Sequence, residues 1–236
     1  MDTGMKVTLL GTGNPLVNLK RSGPAQVVWM GAEPLLIDCG LGTTHQLLRA
    51  GIDPASVRHI FFTHHHSDHN MEYPGLVLSS WQLGRPDLQV FGPPGTAELT
   101  DTLFDRLYAV DIAYRAAQVC RREAMDVAVH EIDAGRVYDT SKWSVSAARV
   151  QHFPGLRCYG YRFERDGQVV AISGDTTYCE SIVDLACGAS ILISTIVRSP
   201  CRRIAGAPCI TCSPITSAPP GRRGASPRRR TYNASC

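Results

Sequence analysis

A chain of 236 residues with 44% hydrophobic content can bury one sizeable core, and one α/β domain is the default expectation. No stretch approaches the ~20 apolar residues of a membrane span, and Met1 to Leu10 has no basic segment leading into an apolar run and no small-residue cleavage site, so a soluble, cytoplasmic protein is expected. The nine cysteines are odd in number and show no framework spacing in the first two hundred residues, which argues against a disulfide scaffold and for reduced thiols.

The net charge of +3 averages two unlike parts. Eight arginines lie from Thr195 onward, with no lysine among them, and no acid follows Asp184. Taking those eight from the 24 basic residues leaves 16 against 21 acidic ones, so the body up to Ser194 carries about −5.

Met5 to Leu10 alternates apolar and polar residues and runs into Gly11-Thr12-Gly13-Asn14-Pro15, a strand ending in a turn. Val27 to Met30 and Pro34 to Ile37 continue the strand pattern, the latter stopping at Asp38-Cys39-Gly40. Thr44 to Ala50 reads as a short helix closed by Gly51, and Arg58 to Phe62 as a strand delivering Thr63 and a histidine cluster. A helix over Leu76 to Leu83, a strand over Leu88 to Phe91 and a helix over Thr96 to Tyr108 follow. Further strands are predicted at Val127 to Ile132, Val145 to Val150, Tyr159 to Glu164 and Val169 to Ile172, with a hairpin turn at Asp166-Gly167. A helix over Glu180 to Cys187 and a strand at Ile191 to Ile193 complete the periodic part. The remainder is rich in Arg, Pro, Ser, Ala, Gly and Cys without apolar periodicity.

Zinc takes ligands with lone pairs at about 2 Å, and imidazole and carboxylate supply them. In the run His64-His65-His66-Ser67-Asp68-His69, His64 and His66 point the same way in an extended loop and can chelate one ion, while Asp68 and His69 face a neighbouring one. Four ligands within six residues, directly behind a strand, outweigh the alternative of a solvated or internally satisfied histidine turn. His65 is expected to point away. One loop cannot close two metal sites, and two later residues are candidates to complete them. His152 follows the strand Val145 to Val150, and Asp175 follows Val169 to Ile172 within Ser173-Gly174-Asp175-Thr176. Strand ends present groups from a rigid sheet, and a glycine lets backbone come close to a ligand. Taken alone, each also fits an ordinary loop histidine or turn aspartate. His45, His59 and His130 read as surface or core histidines. Gly11-x-Gly13 does not make a dinucleotide loop, because Pro15 interrupts it and Leu16 stands where a small residue is needed.

His64-x-His66-x-Asp68-His69, Asp38-Cys39-Gly40 after an apolar strand, Tyr159-Gly160-Tyr161-Arg162-Phe163 after His152, and Ser173-Gly174-Asp175-Thr176 together resemble the metallo-β-lactamase-fold superfamily. Within it they are similar to the ribonuclease Z-like branch, which also holds arylsulfatase-type and cyclic-phosphodiesterase members. The resemblance covers Met5 to Ser194. It implies an α/β fold, the four-layer αβ/βα sandwich, over residues 1–194, incomplete at its C-terminal end. It also implies two Zn2+ sites: His64, His66 and His152 on the first, Asp68 and His69 on the second, and Asp175 bridging them. Asp38 would orient a ligand or the loop from behind, and Asp68 would double as the catalytic proton acceptor. The implied activity is zinc-dependent hydrolysis of a phosphodiester or similar small ester by metal-activated water. No membrane partner is expected, and RNA and a second copy of the chain stay open as partners.

Two departures from the family pattern shape these expectations. Ribonuclease Z enzymes that cut tRNA precursors carry an RNA-gripping arm between the ligands matching His152 and Asp175, whereas here 23 residues separate them (175 − 152 = 23), room for a hairpin alone. With an acidic body, this favours a compact substrate over tRNA, which leaves a tRNA 3′-processing endoribonuclease as the alternative. The family continues after a strand like Ile191-Leu192-Ile193 with a His-Glu pair and a later histidine. This chain has Ser194-Thr195 there and no histidine after His152, so the second zinc site is expected to be incomplete and activity weak. An inactive metal-binding or nucleic-acid-binding protein is the third alternative. Residues 195–236 read as a basic tail with three competing explanations. They are a nucleic-acid-binding arm built on Arg228-Arg229-Arg230, a thiolate metal module using Cys209-x-x-Cys212 with Cys201 and Cys236, or an ending read out of frame, which the abrupt change in composition favours.

Overall fold

The central strands of the first half, over residues 25–30, 33–37, 59–61 and 88–92, are rich in apolar residues because they are covered on both faces. In the computed structural model, which describes residues 4–119 and 125–196, β1 (Met5–Gly11), β2 (Ala25–Met30) and β3 (Glu33–Ile37) form an antiparallel meander. From β3 the sheet continues in parallel through β4 (His59–Phe61), β5 (Leu88–Gly92) and β6 (Val127–Glu131), giving a six-stranded sheet in sequence order. Parallel neighbours need crossovers, and helices supply them. They are α1 (Thr43–Arg49), then α2 (Ser67–Asn70) and α3 (Tyr73–Gln82), then α4 (Thr96–Asp101) and α5 (Ala109–Val119).

The second half folds as a second sheet. Strands β7 (Gly135–Asp139), β8 (Trp143–Val150), β9 (Cys158–Arg165) and β10 (Gln168–Thr176) pair antiparallel in order. After α6 (Glu180–Leu185), β11 (Ile191–Ile196) adds in parallel to β10. Three clusters of buried side chains define the layers. One, with Leu36, Ile60, Leu76 and Ile112, packs helices on the outer face of the first sheet. A second, with Ile37, Phe61, Phe91, Tyr161, Phe163 and Ile172, fills the space between the sheets. The third and smallest sets Ile182 and Leu185 of α6 against Val150 and Cys158 of the second sheet. The order helix, sheet, sheet, helix is the four-layer sandwich that the resemblance implies.

Several sequence expectations require correction. The segment predicted as one helix over Thr96 to Tyr108 is helical through Leu107, but it changes type: α4 ends at Asp101 and Thr102–Leu107 is π-helical. Helix α5 and strand β7 occupy stretches that carried no predicted element. The histidine run is extended only to His66, after which Asp68 and His69 sit on the short helix α2. Asp175 lies within β10 rather than beyond it, at a register break between Ile172 and Asp175. Most of the basic tail, with Cys201, Cys209, Cys212, Cys236 and Arg228-Arg229-Arg230, lies outside the described residues.

The two sheets meet at the end of β4. The Tyr159 amide donates to the Thr63 carbonyl at 2.9 Å, and the buried Tyr161 hydroxyl donates to the Phe62 carbonyl at 2.7 Å. From β10, Gly174 adopts φ +61°, a region that favours glycine, and a Cβ there would come within 2.8 Å of the Thr63 side chain. Gly174→Ala is expected to lower stability by about 1–3 kcal/mol through overpacking and strain together. An unchanged urea-unfolding midpoint would show that this junction tolerates a side chain.

Candidate metal centre

The site is assembled behind Asp38, the residue that directly follows β3. Its backbone takes φ +57°, an unusual conformation for a residue with a side chain, and turns the carboxylate toward the end of β4. There Oδ1 accepts the Thr63 amide at 2.8 Å, and Oδ2 accepts the Thr63 hydroxyl at 2.9 Å and the His69 Nδ1–H at 2.7 Å. The neighbouring Cys39 amide donates to the His69 carbonyl at 2.6 Å, and the Glu72 amide donates to the Cys39 carbonyl at 3.0 Å, so the turn after β3 and the start of the next helices are knitted together.

With the Thr63 hydroxyl donating to Asp38, its oxygen accepts from His64 Nδ1 at 3.0 Å. This places the His64 proton on Nδ1 and the lone pair on Nε2. Asp38 does the same for His69 directly. A ligating histidine needs its other nitrogen held in this way.

The free nitrogens converge. His66 Nδ1 lies 3.0 Å from His64 Nε2 and 3.0 Å from His152 Nε2, a three-nitrogen cluster. His64 also belongs to a second cluster with His69 and Asp175. His69 Nε2 is 3.6 Å from Asp175 Oδ2 and 3.8 Å from Asp68 Oδ2, too far for hydrogen bonds, and this buried atom has no hydrogen-bond partner. Asp175 Oδ2 is also 3.8 Å from His152 Nε2, so one carboxylate oxygen faces both clusters. Asp68 is buried beside His69 but belongs to neither three-residue cluster.

Two clamps bring the second-half residues in. The Thr177 amide donates to the Gln151 carbonyl at 2.7 Å, and the Gln151 amide donates to the Thr176 hydroxyl at 3.2 Å, which ties the end of β8 to the end of β10. His152 and Asp175 are therefore presented side by side. Phe153 packs its ring against His66, with centroids 5.6 Å apart.

Electrostatics follow from this crowding. Burial, reinforced by the neighbouring imidazoles of His69, His66 and His152, pushes His64 down to about 2, so it is neutral with a lone pair to give. Burial also works against protonation of His69, but the Asp38 and Asp175 carboxylates overcome it and raise His69 to about 10. His152 is lowered by burial in spite of Asp175. Burial pushes Asp175 up, yet His69 more than offsets this and holds it below the usual carboxylate range. A buried imidazole whose protonated form is sustained by two carboxylates, beside three nitrogens facing one another, is a donor set that a divalent cation would satisfy in place of the proton.

The other histidines lie elsewhere. His65 turns away and meets the Thr96 hydroxyl at 2.9 Å. His59 is buried against Tyr138 and Trp143, His130 stacks on Phe91, and His45 is exposed. Sequence reading assigned no role to Thr63, although a threonine at the end of a buried strand, directly before the histidine run, was the available signal.

The family model described as "Anti-Pycsar protein Apyc1" matches residues 5–198. The ribonuclease Z of Mycobacterium marinum is 36% identical over 199 residues, 82% of this chain and 71% of that protein. Among solved structures, the metallo-β-lactamase-fold protein YhfI from Bacillus subtilis superposes with a TM-score of 0.63 at 18% identity, over 80% of this chain and 69% of that one. The short form of human tRNase Z superposes at 0.60 with 24% identity, over 79% and 76%. This chain belongs to the family of that model, within the ribonuclease Z-like branch of the metallo-β-lactamase-fold superfamily.

Proposed function

We propose that the chain is a zinc-dependent hydrolase that cleaves a phosphodiester or similar small ester. The observation that carries this reading is the convergence of His64 Nε2, His66 Nδ1 and His152 Nε2 within hydrogen-bonding distance of His66, beside the partnerless Nε2 of His69. His66 Nδ1 has one proton or one lone pair and cannot make two linear hydrogen bonds at 3.0 Å at once, whereas tetrahedral zinc with bonds of about 2.0–2.1 Å accepts all three lone pairs. His69, Asp68 and Asp175 would hold a second ion, with Asp175 shared.

When bound, zinc lowers the pKa of a coordinated water and polarises the phosphoryl oxygen. The chain's own part is orientation and proton handling. Asp38 fixes the His69 tautomer directly and the His64 tautomer through Thr63. Asp68, buried beside His69, takes the proton of the attacking water in this reading. Each position gathers three protein donors among the described residues, His64 with His66 and His152 in one and His64 with His69 and Asp175 in the other; because the second shares His64 with the first, the first is the tighter site in this reading.

A compact substrate is favoured over precursor tRNA because the path from His152 to Asp175 is used up by a short loop, β9, the Asp166-Gly167 turn and β10. No insert projects there.

Purified full-length protein is expected to hold about one zinc tightly and a second substoichiometrically, and to hydrolyse bis(p-nitrophenyl) phosphate slowly, with loss on chelation and recovery on adding zinc. Hydrolysis that survives both chelator and His66→Ala would sink the metal reading. Two tightly held zinc ions would contradict the inequality of the sites.

Thr63→Val keeps the shape and removes the hydroxyl that joins Asp38 to His64. Zinc affinity, read by competition with a chromogenic chelator, should fall roughly 10–100-fold. No change would mean that Thr63 orients nothing. Efficient 3′ cleavage of a precursor tRNA, with a mobility shift at physiological salt, would replace the small-ester reading with an endoribonuclease.

A further inference from the structure

The loop between β1 and β2 leaves Leu16 and Val17 78% and 82% exposed and Leu19 fully so. Single exposed apolar side chains are ordinary, but three within four residues of one loop call for a partner.

The loop is held in shape by its own hydrogen bonds. Asn14 Oδ1 accepts the Leu16 amide at 2.9 Å, Asn18 Oδ1 accepts the Lys20 amide at 2.8 Å, and the Arg21 amide donates to the Asn18 carbonyl at 3.2 Å. Its base is closed by the Gly13 amide on the Ser22 carbonyl at 2.8 Å. A Cβ on Gly13 would come within 2.6 Å of that carbonyl, so the Gly11-x-Gly13 pattern serves the close return of the chain. The Gly23 amide then donates to the Leu41 carbonyl at 2.8 Å, which seats the loop on the turn following Asp38. A fixed apolar loop is thereby mounted on the frame of the metal centre.

Between this loop, Leu41 and Met71 lies a cavity of about 240 Å³ that is also lined by Ser67 and Asp68. It shares Asp68 with the candidate metal centre. Its volume falls below the ~300–1,000 Å³ of pockets for drug-sized ligands, so it suits one ring rather than an extended chain. An apolar wall placed beside the proton-accepting carboxylate fits the non-reacting part of an ester whose charged centre sits among the histidines.

We propose that this groove is a subsite for a single aromatic ring borne by the substrate, a deepening that rests on the phosphoester reading of the metal centre. The test uses zinc-loaded full-length protein and two probes, phenylphosphonate and methylphosphonate, titrated calorimetrically. The phenyl compound is expected to bind wild type about tenfold tighter, the increment of one buried apolar group. In Leu16→Ser/Leu19→Ser that ratio should fall to about twofold or less, with methylphosphonate affinity unchanged. Both positions are exposed, so folding is not at stake, and an unchanged thermal midpoint verifies this.

A phenyl preference that survives the double variant, or that is absent in wild type while methylphosphonate binds, overturns the subsite alone. Failure of methylphosphonate to bind overturns the phosphoester reading, and the subsite with it. If the double variant instead converts a dimer to a monomer in sedimentation and leaves the ratio intact, the loop is a contact between copies and the inference is wrong.

Discussion

A buried carboxylate is costly unless every lone pair is used, and Asp38 uses its oxygens on the Thr63 amide, the Thr63 hydroxyl and His69. Those bonds do two things together. They hold the end of β3 to the end of β4, where the sheet offers its parallel strand ends, and they set which nitrogen of two histidines carries the proton. Removing the carboxylate would free His64 and His69 at once, because Thr63 relays its effect to the first and nothing intervenes before the second. The left-handed backbone of Asp38 is the conformational cost of aiming one side chain at both.

That hub works only because the second sheet closes over it. Thr63 is met from β9 by the Tyr159 amide and from β10 by Gly174, whose missing side chain makes room for the threonine. The aromatic layer below, with Phe61, Phe91, Tyr161 and Phe163, sets the spacing of the sheets by packing rather than by polar contact. The candidate metal ligands gather at the rim where β4, β8 and β10 end. Such rims are where α/β folds present reacting groups, since strand ends are rigid and the loops beyond them are free to vary.

The sequence discloses parts of this to different degrees, for physical reasons. The four donors from His64 to His69 are contiguous, so their pattern is visible without the fold. His152 and Asp175 are marked only by following apolar strands, and their pairing depends on the Gln151–Thr176 clamp between strands that are not neighbours in the sheet. Thr63 is invisible as a relay because its partners come from β3 and from its own successor. Helix α5 was overlooked although Ile112 and Ala116 have the spacing of one buried face, since it follows a π-helical turn with no capping residue or breaker to announce a new start. Strand β7 hides because it has no fully buried residue, and its alternation is correspondingly weak. The sandwich itself is legible through the family resemblance, which rests on the His64–His69 run and the short motifs at Asp38, Tyr159 and Ser173, while the apolar runs of β2 to β5 disclose an α/β core.

The two halves of the centre differ in chemistry, and this bears on how they would work together. His64, His66 and His152 would offer an ion imidazole nitrogens alone, so an ion among them would keep most of its positive charge and its pull on water. The His69 side is rich in carboxylates, with Asp38 behind the ring and Asp68 and Asp175 in front, which would offset more of the charge of an ion there. As His64 does from the histidine side, Asp175 Oδ2 faces both environments, lying between His69 and His152. Its substitution should therefore disturb both positions, whereas loss of His66 should empty the first and leave the Asp38–His69 pair standing. In the proposed reading, a site built in this way would separate activation of the nucleophile on the histidine side from acceptance of its proton by Asp68 on the carboxylate side. The apolar loop from Asn14 to Ser22 borders that second side, where a substrate's uncharged portion would meet the least electrostatic competition.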